Sequence, residues 1–295
     1  MTVSNLDALT QINLDDLISS FGWQDHPFLA RLLRRVFLIP PQTFAHQMVE
    51  FDSYVGQHAL PQASRLTLRH FIQSIHVIGK ERIPAGAFLA LSNHPGMTDT
   101  LSLFAALNRT DLKIIALDRP FLNALPNTSK QLFYLRDDPV SRITLIRQVC
   151  THLRNGGAAL TFPAGHIEPD PDVHQGAAES LRSWTDSAGV FIRLAPETAV
   201  LPVLVRGVVR RKNAYHPLTY LRKAPAERER LAAALQLLAH VALKKRDVQV
   251  RVQIGNPIYA RDLGTTETRV IHQAVLAEMN QLIENQSLGE GEELL

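Results

Sequence analysis

Cysteine is nearly absent: the 295 residues contain one, Cys150. A single thiol excludes an internal disulfide and a cysteine-rich zinc site, and it fits a reducing compartment. Long hydrophobic runs are missing too. No stretch approaches the ~20 apolar residues of a membrane span, and the longest runs, such as Val200–Val205, have strand length. The start, MTVSNLDALTQINLDDL, lacks a basic end and an apolar centre, so no secretory signal is expected. The histidines show neither an HExxH pair nor another metal-ligand spacing, and no metal is expected. No RNP, KH or zinc-finger signature is present, so nucleic acid is not the expected partner. What remains is a globular chain expected in the cytoplasm, either free or resting on the inner face of a membrane.

Charge of one sign is scarce overall but not locally. The net charge is only +3, yet between Leu201 and Asp247 there are eleven cationic and three acidic residues. The C-terminus reverses the sign with Glu284, Glu290, Glu292 and Glu293. A basic segment points to an anionic partner, such as phospholipid headgroups or a phosphorylated substrate, or else to a solvated face.

Hydrophobic spacing divides the chain. Up to about residue 74 it is helical. Leu6, Leu9, Ile12, Leu14, Leu17 and Ile18 mark one helix, and Phe28, Leu29, Leu32, Leu33, Val36 and Phe37 mark a second that Pro40–Pro41 ends. Two more are expected over Thr43–Gln57 and Gln62–Gln73. From residue 75 short apolar runs alternate with helical patterns. Strands are expected at Ile75–Ile78, Ala87–Ser92, Leu112–Leu117, Ala158–Phe162, Val200–Val205 and Val248–Ile254. Helices are expected at Thr100–Leu107, Val140–Asn155, Gln175–Ser187, Ala226–Leu243 and Thr266–Asn285. This alternation predicts an α/β fold, a mixed and mostly parallel sheet flanked by helices. The expected organisation is a helical segment 1–74, an α/β domain 75–286 and a flexible acidic tail 287–295.

In such sheets the active groups gather on loops after strand C-termini. The loop after Ala87–Ser92 reads Asn93-His94-Pro95-Gly96-Met97-Thr98-Asp99 and leads into a helix. Across a Pro-Gly turn, Asp99 can return to the imidazole of His94, fix its tautomer and leave Nε2 as a base. The alternative is that Asp99 only caps the helix. A second loop, Phe162-Pro163-Ala164-Gly165-His166-Ile167-Glu168, holds a tight turn whose amides can approach a ligand. In a third stretch, Pro202 interrupts a strand pattern, which favours an edge or a bulge.

The order of these pieces resembles the glycerophospholipid acyltransferase family, which includes the glycerol-3-phosphate and lysophosphatidate acyltransferases. Its first block, Asn-His-x4-Asp, is matched by Asn93, His94 and Asp99, and its lead-in by Gly79-Lys80-Glu81-Arg82-Ile83-Pro84. The second block, an arginine after a short apolar strand, is matched by Leu132–Leu135 and Arg136. Phe162, Pro163 and Gly165 match the third, and Pro202-Val203 the fourth. The resemblance covers residues 75 to 210 and implies acyl transfer from acyl-CoA or acyl carrier protein to a lipid hydroxyl, with no cofactor beyond that thioester. His94 would be the general base and Asp99 its orienter. Asn93, Gly96, Arg136, Phe162, Pro163, Gly165, His166 and Glu168 would bind substrate, with amides near Gly96 or Gly165 facing the oxyanion.

One departure stands out. Ala164 replaces the acidic residue of the third block, which in the family is associated with acceptor binding. Glu168 could supply the missing carboxylate, or the acceptor differs. The rival reading is a non-catalytic lipid-binding protein on the same fold. The Arg31, Arg34 and Arg35 helix either lies in a membrane interface or packs its apolar stripe on the domain, and the Arg206–Lys212 cluster is the other candidate contact with anionic headgroups.

Overall fold

The computed structural model describes residues 3–36, 38–243, 246–285 and 291–295. Phe37 of the second apolar stripe, Lys244 and Lys245 of the basic segment, and 286–290 of the expected tail lie outside the described residues.

Eight strands form one sheet: β1 (Ser74–Ile78), β2 (Phe88–Ser92), β3 (Lys113–Leu117), β4 (Leu132–Leu135), β5 (Ala158–Thr161), β6 (Ala199–Arg206), β7 (Gln249–Ile254) and β8 (Glu292–Glu293). Their order is β4-β3-β5-β2-β6-β7-β1-β8. The five strands from β4 to β6 are mutually parallel, β7 runs antiparallel to β6, and β1 parallel to β7. The helices longer than a turn or two are α1 (Val3–Phe21), α2 (Pro27–Val36), α3 (Ile39–Leu68), α4 (Met97–Leu107), α5 (Pro139–Arg154), α6 (Ser187–Leu194), α7 (Pro225–Leu243) and α8 (Thr268–Glu284). The fold is α/β, with a mixed and mostly parallel sheet and a helical N-terminal region.

Central strands read as continuous apolar runs because both faces are covered. In β2, Phe88 and Ala90 point into the core under α3 and α4, while Leu89 and Leu91 point into the core under α5, α6 and α8. β6 does the same with Leu201, Val203 and Val205 against Val200 and Leu204. The period of two in the side chains thus becomes two cores. The first ~70 residues share the one under α3 and α4: Phe44, Met48, Phe51 and Leu68 of α3 lie in the same cluster as Leu103 and Phe104 of α4.

Several local expectations are corrected. Pro40–Pro41 open α3 instead of closing α2, since a proline in the first helical turn loses no hydrogen bond. The two helices expected over 43–73 are one element broken at Ala59, whose φ of 63° is left-handed, and it stops at Leu68. The helix expected over Gln175–Ser187 covers only about two turns before Trp184 becomes extended, and a separate helix, α6, follows. The tail is not free at its end: Glu292 and Glu293 pair with Val77 and His76. Lys80 holds Glu292 at 2.7 Å, and Leu294 and Leu295 pack on the core. Pro202 sits at a bulge, as its missing N–H requires. Between the pairs Val203–Ile254 and Val200–Ile258, two residues of β6 face three of the loop after β7.

Candidate active site

Parallel alignment brings the loops after β2, β3, β4, β5 and β6 to one edge of the sheet. The loop after β2 is at the centre of that edge. His94 Nδ1 lies 2.7 Å from Asp99 Oδ2. Asp99 is fully buried and satisfied by short-range donors: Gly96 N–H at 2.9 Å to Oδ2, and the Thr100 N–H and hydroxyl to Oδ1. Asp99 is therefore both things the sequence allowed. It caps α4 as its third helical residue, and it orients the imidazole, because the cap geometry fixes the carboxylate where the turn returns His94.

His94 leans on Phe162 of the loop after β5, with ring centroids 4.6 Å apart. With Nδ1 held by Asp99, Nε2 has no hydrogen-bond partner among the described residues. Burial works to lower the His94 pKa. The charge and hydrogen bond of Asp99 and the charge of Glu168 outweigh it, so the net shift is upward from 6.5, against a smaller downward pull from Arg119.

Glu168 is not an open carboxylate. It is fully buried and accepts from Trp184 Nε1 at 2.7 Å, from Ser180 Oγ at 3.1 Å and from the His94 N–H at 3.1 Å. Its own N–H donates to the His94 carbonyl at 2.9 Å. Asn93 is also turned to scaffolding: its amide donates to the Val205 carbonyl and accepts from the Val205 N–H, both at 2.8 Å, pinning the loop to β6. Neither residue presents a free polar group to a ligand.

The remaining candidates separate. Pro163 is buried, and Gly165, at φ 69°, turns the chain so that its N–H reaches the Phe162 carbonyl at 3.1 Å. The Gly96 and Gly165 amides expected to face an oxyanion are thus already used inside the protein. His166 is exposed, with Nδ1 2.8 Å from the Ala164 carbonyl. Arg136 follows β4, three strand positions from β2, about 14 Å at the usual strand spacing. It donates to Asp118 at 2.7 Å, not to the neighbouring Asp137 or Asp138.

Five of the eleven cations of the basic segment pair with acids of the fold. Arg206 is 3% exposed, donates to the carbonyls of Leu282 and Ile283, and faces Asp172 at 3.7 Å. Arg210 and Lys212 pair with Asp247, Arg222 with Glu227, and Arg230 with Asp16 of α1. The expected Arg206–Lys212 headgroup contact is corrected accordingly for Arg206 and Arg210, whose charges are committed within the fold.

Three features escaped sequence reasoning. The charge of Arg119, two residues past β3, pulls the pKa values of both His94 and Asp16 downward, against the net upward shift of each. Asp170 is buried and accepts from the N–H groups of Gly207 and Val209, tying the loop after β5 to that after β6. An apolar cleft lined by Phe71, Thr98, Val208, Val209, Leu237 and Val248 adjoins Gly96. No spacing rule links these residues, which come from distant parts of the chain.

Residues 74–206 match the sequence model of the family described as Acyltransferase. Over this segment, a little under half of the chain, the protein is similar to the acyltransferase family. The matched acyltransferase segment runs from β1 to the end of β6, and so contains His94, Asp99 and the loop after β5. Among solved structures, the crystal structure of the 1-acyl-sn-glycerophosphate (LPA) acyltransferase PlsC from Thermotoga maritima is similar at 16% identity and a TM-score of 0.44, covering 95% of this chain and 98% of that one. Among curated proteins none matches.

Proposed function

We propose that this acyltransferase moves a fatty acyl group from a thioester, on coenzyme A or acyl carrier protein, to a hydroxyl of a glycerophospholipid-type or other lipid acceptor. The observation that carries this reading is the 2.7 Å Nδ1–Oδ2 contact of His94 and Asp99, which leaves Nε2 as the base. Nε2 takes the proton of the acceptor hydroxyl while its oxygen attacks the thioester carbonyl. Collapse of the tetrahedral species breaks the carbon–sulfur bond, and the imidazolium returns the proton to the departing thiolate. Asp99 holds the imidazolium as it forms, as the acid of a His-Asp pair does. No nucleophilic side chain is required. The N-terminus of α4, the positive end of its dipole, lies beside the site where the oxyanion develops.

Contact with a lipid surface is supported by α2, where Phe28, Leu32 and Val36, with Ile39 opening α3, form an exposed apolar stripe beside Arg31 and Arg35. Phe28 is 75% exposed. Among the described residues no helix is long and apolar enough to cross a membrane. The altered third block favours an acceptor other than glycerol 3-phosphate or lysophosphatidate.

Thiol release from a panel of acyl-CoAs and acyl carrier proteins, with and without pooled lipid acceptors, tests the reading. Acceptor-dependent release that disappears in His94→Ala is the expected result. Release that needs no acceptor, yet disappears in His94→Ala, identifies a thioesterase instead. No release from any donor by folded protein overturns acyl transfer from these donors and leaves lipid binding.

A further inference from the structure

A buried carboxylate is costly unless donors surround it, and one that does not touch the substrate needs a reason to be there. Glu168 has no lysine or arginine partner among its contacts. Its three donors are an indole, a hydroxyl and the peptide N–H of His94. It also grips that peptide from the other side, since its own N–H bonds the His94 carbonyl. Both backbone polar groups of His94 are thus held by one residue 74 positions away.

We propose that Glu168 is a positioning residue: by bracketing the His94 peptide it sets the place and the electrostatic field of the imidazole, and the acyl acceptor does not touch it. This rests on the reading of His94 as base. It also accounts for the departure at Ala164. Glu168 does not restore an acceptor-binding acid; its charge faces inward, to the peptide that carries the base.

The electrostatics agree with the geometry. The charge of Glu168 helps raise the His94 pKa, in the same sense as Asp99. Burial pushes the Glu168 carboxyl above its usual range, opposed by its bonds to Trp184, Ser180 and the His94 N–H and by the charge of His166. The titratable groups that face it are therefore His94, from the loop after β2, and His166, from its own loop. Trp184 and Ser180 face it as neutral donors. An imidazolium that forms during turnover gains from a fixed negative charge that needs no reorganisation.

The test measures kcat and KM for Glu168→Gln, together with the His94 imidazole titration by NMR in substrate-free protein. Asp170→Asn is the control, because it removes a buried charge from the same strand-to-helix connection without touching His94. Glu168→Gln is expected to lower kcat about 10–100-fold, the usual cost of losing an orienting partner, at nearly unchanged KM, and to move the His94 titration to lower pH. Asp170→Asn is expected to leave that titration in place. Glu168→Asp, which keeps the charge but withdraws its reach, should recover the titration more than the rate. A raised acceptor KM at unchanged kcat would make Glu168 a substrate contact and overturn the proposal. An unmoved His94 titration overturns it too.

Should Glu168→Gln not fold, Trp184→Phe withdraws the shortest donor and leaves the carboxylate. It is expected to lower kcat several-fold at unchanged KM, and an unchanged kcat overturns the proposal. Full activity in His94→Ala would instead sink the base reading, while the NMR titration still decides the field of Glu168.

Discussion

The loop after β2 and the segment from Arg206 to Asp247 are both rich in charged or polar side chains, and they behave in opposite ways. In the loop, seven residues fold on themselves, and the pair that the spacing picks out meets at 2.7 Å. In the segment, five of eleven cations pair with Asp172, Asp247, Glu227 and Asp16, and all of these acids but Glu227 are more than thirty positions from their partners. A short-range pattern carries its geometry with it, because a turn and a helix start leave the chain few alternatives. A charge count carries none, since side chains this long find whichever acid the fold brings near.

The comparison can be broken most sharply at the loop. His94→Ala is expected to reduce acyl transfer by about 10²–10⁴-fold, the range for a lost general base, with folding retained by circular dichroism. A smaller but large loss is expected of Asp99→Asn. Because the Asp99 charge holds the His94 pKa up, the acid limb of the pH–rate profile should move to lower pH in this variant. An unmoved limb would detach Asp99 from the imidazole.

Arg206→Met probes the other region. It leaves the buried carbonyls of Leu282 and Ile283 without their donor, while Asp172 keeps Arg251 at 2.5 Å, and a loss of about 1–3 kcal/mol in denaturant unfolding is expected. Glu229 of α7 sharpens the same point through pH. Burial, and then the charge of Asp170, push its carboxyl up to about 7, and His174 lies 3.5 Å away. The folded state binds this proton more tightly than the unfolded chain, so the stability it lends is complete below about pH 4.5 and is lost as pH rises through about 7. Glu229→Gln should therefore unfold at a higher temperature than wild type at pH 8.5, by at most about 3 kcal/mol, and match it at pH 4.5. The smallest effect belongs to Lys212→Ala. Its ion pair is long and exposed, and a change within about 0.5 kcal/mol is expected.

The sheet was largely readable because its strands are buried on both faces and bounded by turns, so each of the six expected strands lies within a residue or two of one observed. β4 was visible only through the family resemblance, since Leu132–Leu135 is too short and half-buried to declare itself. The helix expected over Gln175–Ser187 failed at Trp184, where a distant carboxylate takes the indole N–H and the chain extends to reach it.

The sequence by itself determined the period-two strands, the turn that returns Asp99 to His94, and the match over residues 74–206 to an acyltransferase. These depend on neighbours within a few residues, where backbone sterics and hydrogen-bond reach leave one outcome. Only the tertiary structure decided that Glu168 and Asn93 face inward, that Arg136 stands three strands from His94, and that Arg206 and Arg210 of the basic segment are committed to Asp172 and Asp247. Those outcomes depend on which strands lie side by side, and sheet order is set by how two faces of apolar side chains pack, not by the spacing of the polar ones.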